Sequence, residues 1–256
     1  MKLDRGTSIL IVGLGLLGGS YARALTKKGY RVDAITLDRE SIDYALAEGM
    51  IAVGTTEVDP ALVGGADLVI FALYPHVFVE WVEQYQHLFK PGAILTDVTG
   101  VKSAIVDKIQ TMLRPDVEFI AAHPMAGREV GGVKNSDDGI FHGANYVVTP
   151  TEHDDIIAFV SQLTHCIAVA LMTCQQTDNL EDYTGDSFRD LTRIARINDL
   201  MWSELFIENK EALLEQMNLF INKFNELKSM LETEDVDSMR KMMRHSTERR
   251  ALFDKK

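Results

Sequence analysis

Apolar residues in this 256-residue chain follow two regimes that change near residue 150. Before it, an unbroken apolar run at 9–12 and short, mainly apolar segments at 31–37, 66–73, 93–97 and 118–122 alternate with segments whose apolar positions recur at helical spacing. Runs of this length read as strands buried on both faces. Their alternation with helices over 16–28, 41–49, 77–89 and 103–114 predicts a parallel, doubly wound sheet. One more run, 144–149, reads as a further strand. From Glu152 to Leu252 only helical periodicity remains, so the boundary is placed at Pro150, with domains at 1–150 and 151–256. In the first helix of the second half Asp154, Ser161 and His165 fall at i, i+7 and i+11, a polar stripe on an apolar rod. Further on, Leu213, Met217, Phe220, Phe224, Leu227 and Leu231 make a near-heptad stripe, as in a long helix packed along a partner, within the chain or from a second copy.

The first run leads into Gly13-Leu14-Gly15-Leu16-Leu17-Gly18 and then a helix opening. Strand, G-x-G-x-x-G, helix is the context of the dinucleotide fingerprint, which makes the sheet domain Rossmann-type. Gly13 permits the turn, Gly15 lets a pyrophosphate approach the backbone, and Gly18 lets helix pack on strand. The helix start at Leu16 and Leu17 offers N–H donors to the phosphates. Asp38, closing the second strand, reads either as the acid that holds the ribose hydroxyls of NAD and repels a 2′-phosphate, or as a solvated turn residue beside Arg39.

In such sheets ligands lie at the carboxyl ends of the strands. That draws attention to 97–102, where Thr99 and Lys102 are expected to contact the cofactor, and to His123, suited to acid–base work near its ordinary pKa. Ser161 and His165 are either satisfied core groups or face a ligand. Arg189, Arg193 and Arg196 recur at helical spacing. They form a solvated face or, flanked by Phe188, Leu191, Ile194 and Trp202, grip an anionic substrate.

Composition narrows the partners. The net charge of −12 and the absence of a basic tail disfavour nucleic acid and anionic membrane. The longest apolar run, 166–172, is short for a bilayer, and Met1 to Arg5 leaves no room for a signal peptide. Cys166 and Cys174, about 12 Å apart on one helix, cannot pair and read as core thiols of a reduced, cytoplasmic protein. No metal-ligand spacing stands out.

Together GLGLLGGS, DVTGVKS, HPMAGRE, the segment from His153 through SQLTH, FRDLTRIA and Trp202 resemble the prephenate dehydrogenase family over nearly the whole chain. The resemblance implies an NAD-binding domain followed by an all-α dimerisation domain, and NAD-dependent oxidative decarboxylation of prephenate to 4-hydroxyphenylpyruvate in tyrosine biosynthesis. It implies that His123 is the catalytic histidine and that Arg193 holds a substrate carboxylate. Arg189 would reach in from the neighbouring subunit of a homodimer, and Ser161, His165 and Trp202 would line the substrate pocket. Three departures stand out. Gly100 replaces the family's usual serine. Gln162 replaces the first of two pocket histidines. Residues 150–152 cross directly where the family has a helix and a strand, a loss expected to expose a sheet edge. An arogenate-preferring dehydrogenase, or a catalytically weak NAD-binding member crippled by that loss, are the competing readings.

Overall fold

The structure, a computed structural model, describes residues 4–128, 130–148, 153–174 and 178–253. Expectations about Glu129 of HPMAGRE and about the crossing at 149–152, with the boundary at Pro150, lie outside the described residues.

In chain order the first half forms β1 (Ser8–Val12), α1 (Leu16–Lys27), β2 (Arg31–Ile35), α2 (Arg39–Ala47), β3 (Val53–Thr55), α3 (Pro60–Gly65), β4 (Leu68–Phe71), α4 (Pro75–Tyr85), β5 (Ile94–Asp97), α5 (Ser103–Met112) and β6 (Glu118–Ile120). All six strands are parallel, in the order β3-β2-β1-β4-β5-β6. The order reverses between β1 and β4, where doubly wound sheets hold their ligands. Successive residues feed opposite cores: Leu10, Val12, Val69, Phe71 and Leu95 pack with Phe78 and Trp81, while Ile9, Ile11 and Ile70 pack with Ile42 and Met50. Both faces are covered at the centre of the sheet, so β1 and β4 read as near-continuous apolar runs rather than alternating ones. The short β3 and α3 are additions that the apolar pattern did not announce, since three and six residues are too few to display a period.

Three expectations at the strand ends change. β2 stops at Ile35 rather than Leu37, and Leu37 is 91% exposed. The run 118–122 is not one strand: β6 ends at Ile120, and a second strand, β7 (Ala122–Pro124), pairs antiparallel with β8 (Tyr146–Val148) in a separate ribbon. His123 therefore lies inside β7 opposite Val147, not at the end of a parallel strand. β8 is the extra strand expected over 144–149, but it adds nothing to the main sheet. β6 pairs with β5 alone among the described residues, so it is an edge, and only residues 149–152 separate β8 from the next helix.

That helix, α6 (His153–Ile157), continues through a π turn (Ala158–Gln162) into α7 (Leu163–Thr173). The wider turn shifts the phase of the helix, so Asp154 and His165 do not share one uninterrupted stripe. The run Asp154–Thr173 is long and apolar enough, by length and composition, to cross a bilayer, with a mean hydropathy of 1.8 and 28% of it buried. This corrects the expectation drawn from the 166–172 run. Then come α8 (Asp186–Thr192), α9 (Asp199–Glu208), α10 (Lys210–Glu232) and α11 (Val236–Arg250). Cys166 is half-buried but Cys174, at the end of α7, is exposed, so only one of the two thiols belongs to an interior.

The chain forms two compact units, Met1–Asn209 and Lys210–Lys256. The first holds the sheet together with α6 to α9. The second is the α10–α11 hairpin, where Phe220 stacks on Phe224; the heptad-like stripe is buried at Leu213 and open further along, Phe224 and Leu231 each being 61% exposed.

Candidate active site

The glycine turn does what its spacing requires. Gly13 has φ +97°, and a Cβ there would strike the Ala72 carbonyl; a Cβ on Gly18 would strike the carbonyl of Gly13. At Gly15 the space stays open, with nothing within 4 Å of an added Cβ. α1 begins directly after it at Leu16, with no side chain capping its first N–H groups. Backbone donors, the positive end of a helix dipole and open space together fit a pyrophosphate.

Asp38 caps α2, accepting from Glu40 N at 3.1 Å, Ser41 N at 3.2 Å and Ser41 Oγ at 2.5 Å. These bonds, the Ser41 hydroxyl foremost, lower its pKa. The carboxylate is exposed and ionised, and it serves the helix as well as any ribose. The Arg39 guanidinium turns away to Asp43 at 2.9 Å.

The loop after β5 is built around a buried ion pair. Asp97 is fully buried, and its Oδ2 accepts from Lys102 Nζ at 2.5 Å, from Thr99 N at 3.1 Å and from the Thr99 hydroxyl. Lys102 also donates to the Ala122 carbonyl at 2.7 Å and to Thr99 Oγ1 at 3.3 Å, and Ala122 N–H reaches Asp97 Oδ1 at 3.2 Å. An ammonium has three donors, and all three point inward. Thr99 and Lys102 thus spend their side-chain donors on the loop and on Ala122. Burial pulls the Lys102 pKa down while Asp97 pushes back. Both polar groups of Ala122 are thereby clamped, and the next residue is His123, half-buried in β7.

Position 100 borders the imidazole. A Cβ on Gly100 would lie 3.7 Å from His123 Cε1 and 3.8 Å from Nε2, in ordinary contact.

On the helical side His165 stacks on Trp202, centroids 3.7 Å apart and planes 28° apart, while its Nδ1 lies 2.9 Å from the Ser161 carbonyl oxygen. Ser161 is thus joined to His165 through its backbone. Gln162, fully buried, donates to the Leu205 carbonyl at 2.8 Å. Arg189, on α8, and Arg193, in the 3-10 turn that comes next, are exposed, and Arg189 Nε lies 3.4 Å from Thr184 Oγ1. Two hollows of about 250 and 380 Å³ lie at the amino ends of the strands, lined by residues such as Ser8 and Arg31, and Gly92 and Glu118. Neither includes His123 or Arg193.

Sequence reasoning missed three groups on α4 and α9. His76 Nδ1 and N both meet Glu204 Oε1, at 2.5 and 3.0 Å. One turn on, Glu208 Oε2 is buried without a hydrogen-bond partner. Burial, reinforced by Glu204, pushes the Glu208 pKa up to about 7. No local motif marks these residues, because the two helices that bring them together are far apart in the chain.

A family model described as prephenate dehydrogenase, nucleotide-binding domain, matches residues 21–171, more than half of the chain. The chain belongs to the prephenate dehydrogenase family. A second model of that family, the dimerization domain, matches residues 149–245. Among relatives of this prephenate dehydrogenase family member, the Lactococcus lactis prephenate dehydrogenase is 31% identical over 86% of this chain and 70% of its own length. The Bacillus subtilis prephenate dehydrogenase is 26% identical over 91% and 72%. That alignment runs over 269 positions, longer than the whole chain, so the relative carries residues inside the aligned span that this chain lacks. The A. aeolicus prephenate dehydrogenase, solved with hydroxyphenyl propionate and NAD+, superposes with a TM-score of 0.89 at 27% identity, covering 96% of this chain and 98% of that one.

Proposed function

We propose that the chain catalyses the NAD-dependent oxidative decarboxylation of prephenate to 4-hydroxyphenylpyruvate in tyrosine biosynthesis. The observation that carries this is the likeness along almost the full length of both chains to the A. aeolicus enzyme, whose crystal holds NAD+ and a hydroxyphenyl ligand. The open backbone at Gly15 and the bare start of α1 fit the cofactor pyrophosphate, and NAD supplies the hydride acceptor when bound.

This chain's residues bind, orient and polarise. His123 accepts a hydrogen bond from the ring hydroxyl at C4 while hydride leaves that carbon. The C1–carboxylate bond breaks in the same oxidation, its electron pair completes the aromatic ring, and carbon dioxide departs. Arg193 holds a substrate carboxylate, and Arg189 reaches the site of a neighbouring subunit. His165 and Trp202 form one wall of the pocket with Ser161. The functional boundary runs near residue 150, within the stretch where the two family models overlap. The protein is a homodimer through its helical part. It works in the cytoplasm, where its two free cysteines stay reduced.

The test is NADH absorbance with purified protein, NAD and either prephenate or arogenate. Turnover of prephenate is expected; NAD binding without turnover of either substrate would favour the weak binding-protein reading. His123→Asn should lower kcat by about two to four orders of magnitude, with little change in KM. Arg193→Ala should chiefly raise KM for prephenate, and an unchanged KM would remove it from the carboxylate site.

A further inference from the structure

A continuous buried hydrogen-bond relay runs from the strand that carries His123 to the helices that carry His165 and Trp202. Lys102 Nζ holds the Ala122 carbonyl, and Lys102 N–H donates to Asp154 Oδ1 at 2.9 Å. The Asp154 carbonyl accepts from Asn209 Nδ2 at 3.0 Å. The second proton of that amide reaches Gln162 Oε1 at 2.7 Å, and Gln162 Nε2 donates to the Leu205 carbonyl. Every side chain along it is at least nine-tenths buried: Lys102 2%, Asp154 7%, Asn209 4% and Gln162 1% exposed. Asn209 spends both amide protons, and Gln162 uses its donor and its acceptor ends, so the relay has one satisfied arrangement.

Its last link bears on the pocket. Gln162 meets Leu205, and three residues further along α7, three back along α9, His165 meets Trp202. Two antiparallel helices joined at both contacts cannot slide without breaking the amide bond or the ring stack.

We infer that Gln162 is a positioning residue for the reaction: through Leu205 and Asn209 it sets the His165–Trp202 wall at a fixed place relative to His123. The inference rests on the dehydrogenase reading above, and its failure is separable: wild type that does not oxidise prephenate sinks that reading, whereas the role of Gln162 is tested by comparing variants with an active wild type.

Gln162→Leu keeps the volume and removes both bonds. Expected are an unchanged NAD dissociation constant, a kcat lower by about ten- to a hundred-fold, and an altered Trp202 emission, assigned by its absence in Trp202→Phe. Gln162→Glu keeps the acceptor but presents a lone pair to Leu205 O when ionised, so its kcat relative to wild type should recover as pH falls and the carboxyl regains a proton. Gln162→Leu with wild-type kcat, KM and emission, even with a lower Tm, would overturn the inference. Should that variant not fold, a Gln162→Glu pH profile parallel to wild type would do the same.

Discussion

Gly100 leaves open the space where a side chain would touch the imidazole of His123. Its backbone does not need glycine: the residue is outside the left-handed region, and an added Cβ makes only ordinary contact at 3.7 Å. A serine hydroxyl there would come within hydrogen-bonding reach of Nε2 and fix the orientation of the ring. A net hydrogen bond is worth about 1 kcal/mol, or about five-fold in rate. Gly100→Ser is therefore expected to raise kcat with prephenate by about that factor, read as NADH production at saturating substrate. A rate that stays flat or falls would show that position 100 does not address the imidazole. The identity of His123 as a candidate was legible from residue type and place in the chain, but its setting was not. The clamp on Ala122 depends on Lys102 and Asp97, whose side chains meet each other and the Ala122 backbone in the interior.

At the scale of elements, that clamp joins the end of β5, the start of α5 and β7. Removing one partner of a buried ion pair strands the other charge at a cost of about 3–5 kcal/mol. Lys102→Met should therefore destabilise the protein by about that amount in urea unfolding, and more than it would in an Asp97→Asn background, where no charge is stranded. Equal losses in both backgrounds would mean that the pair is not the source. A second prediction concerns α9. Glu208 has a pKa raised to about 7 by burial and by Glu204, with Lys108 and His76 opposing, against 4.5 for an unperturbed group. The folded protein holds the proton more tightly, so the stabilisation is complete below about pH 4.5 and is lost as pH rises through 7. Wild type should lose Tm between pH 5 and pH 8 relative to Glu208→Gln, and parallel curves would refute the shift. The helices themselves were readable from periodicity. The π turn that rephases α6 and α7 was not, because its sequence AFVSQ is as helical as its flanks.

For the whole molecule, the open apolar surfaces call for a partner. Ile156 and Phe159 are more than half exposed on the α6–α7 rod, as are Phe224 and Leu231 on α10. A helix that passes the length and hydropathy test for a bilayer also fits a dimer core, and the dimerization-domain match over 149–245 favours the second. Sedimentation equilibrium at micromolar concentration should return twice the chain mass, and Phe159→Asp should shift it toward the monomer. A monomeric wild type would leave Arg189 without a neighbouring site to enter.

The sequence by itself determined the parallel sheet, the glycine turn, the change to helices near residue 150 and the family. These arise from local periodicity and from residues that act on their immediate neighbours in the chain. Only the tertiary structure decided that His123 sits in an antiparallel ribbon, that Lys102 faces inward, and that Asp154, Gln162 and Asn209 meet. Those outcomes depend on which buried donor reaches which acceptor across a long stretch of chain. No local pattern encodes that choice; it is made when burial leaves each polar group a single partner.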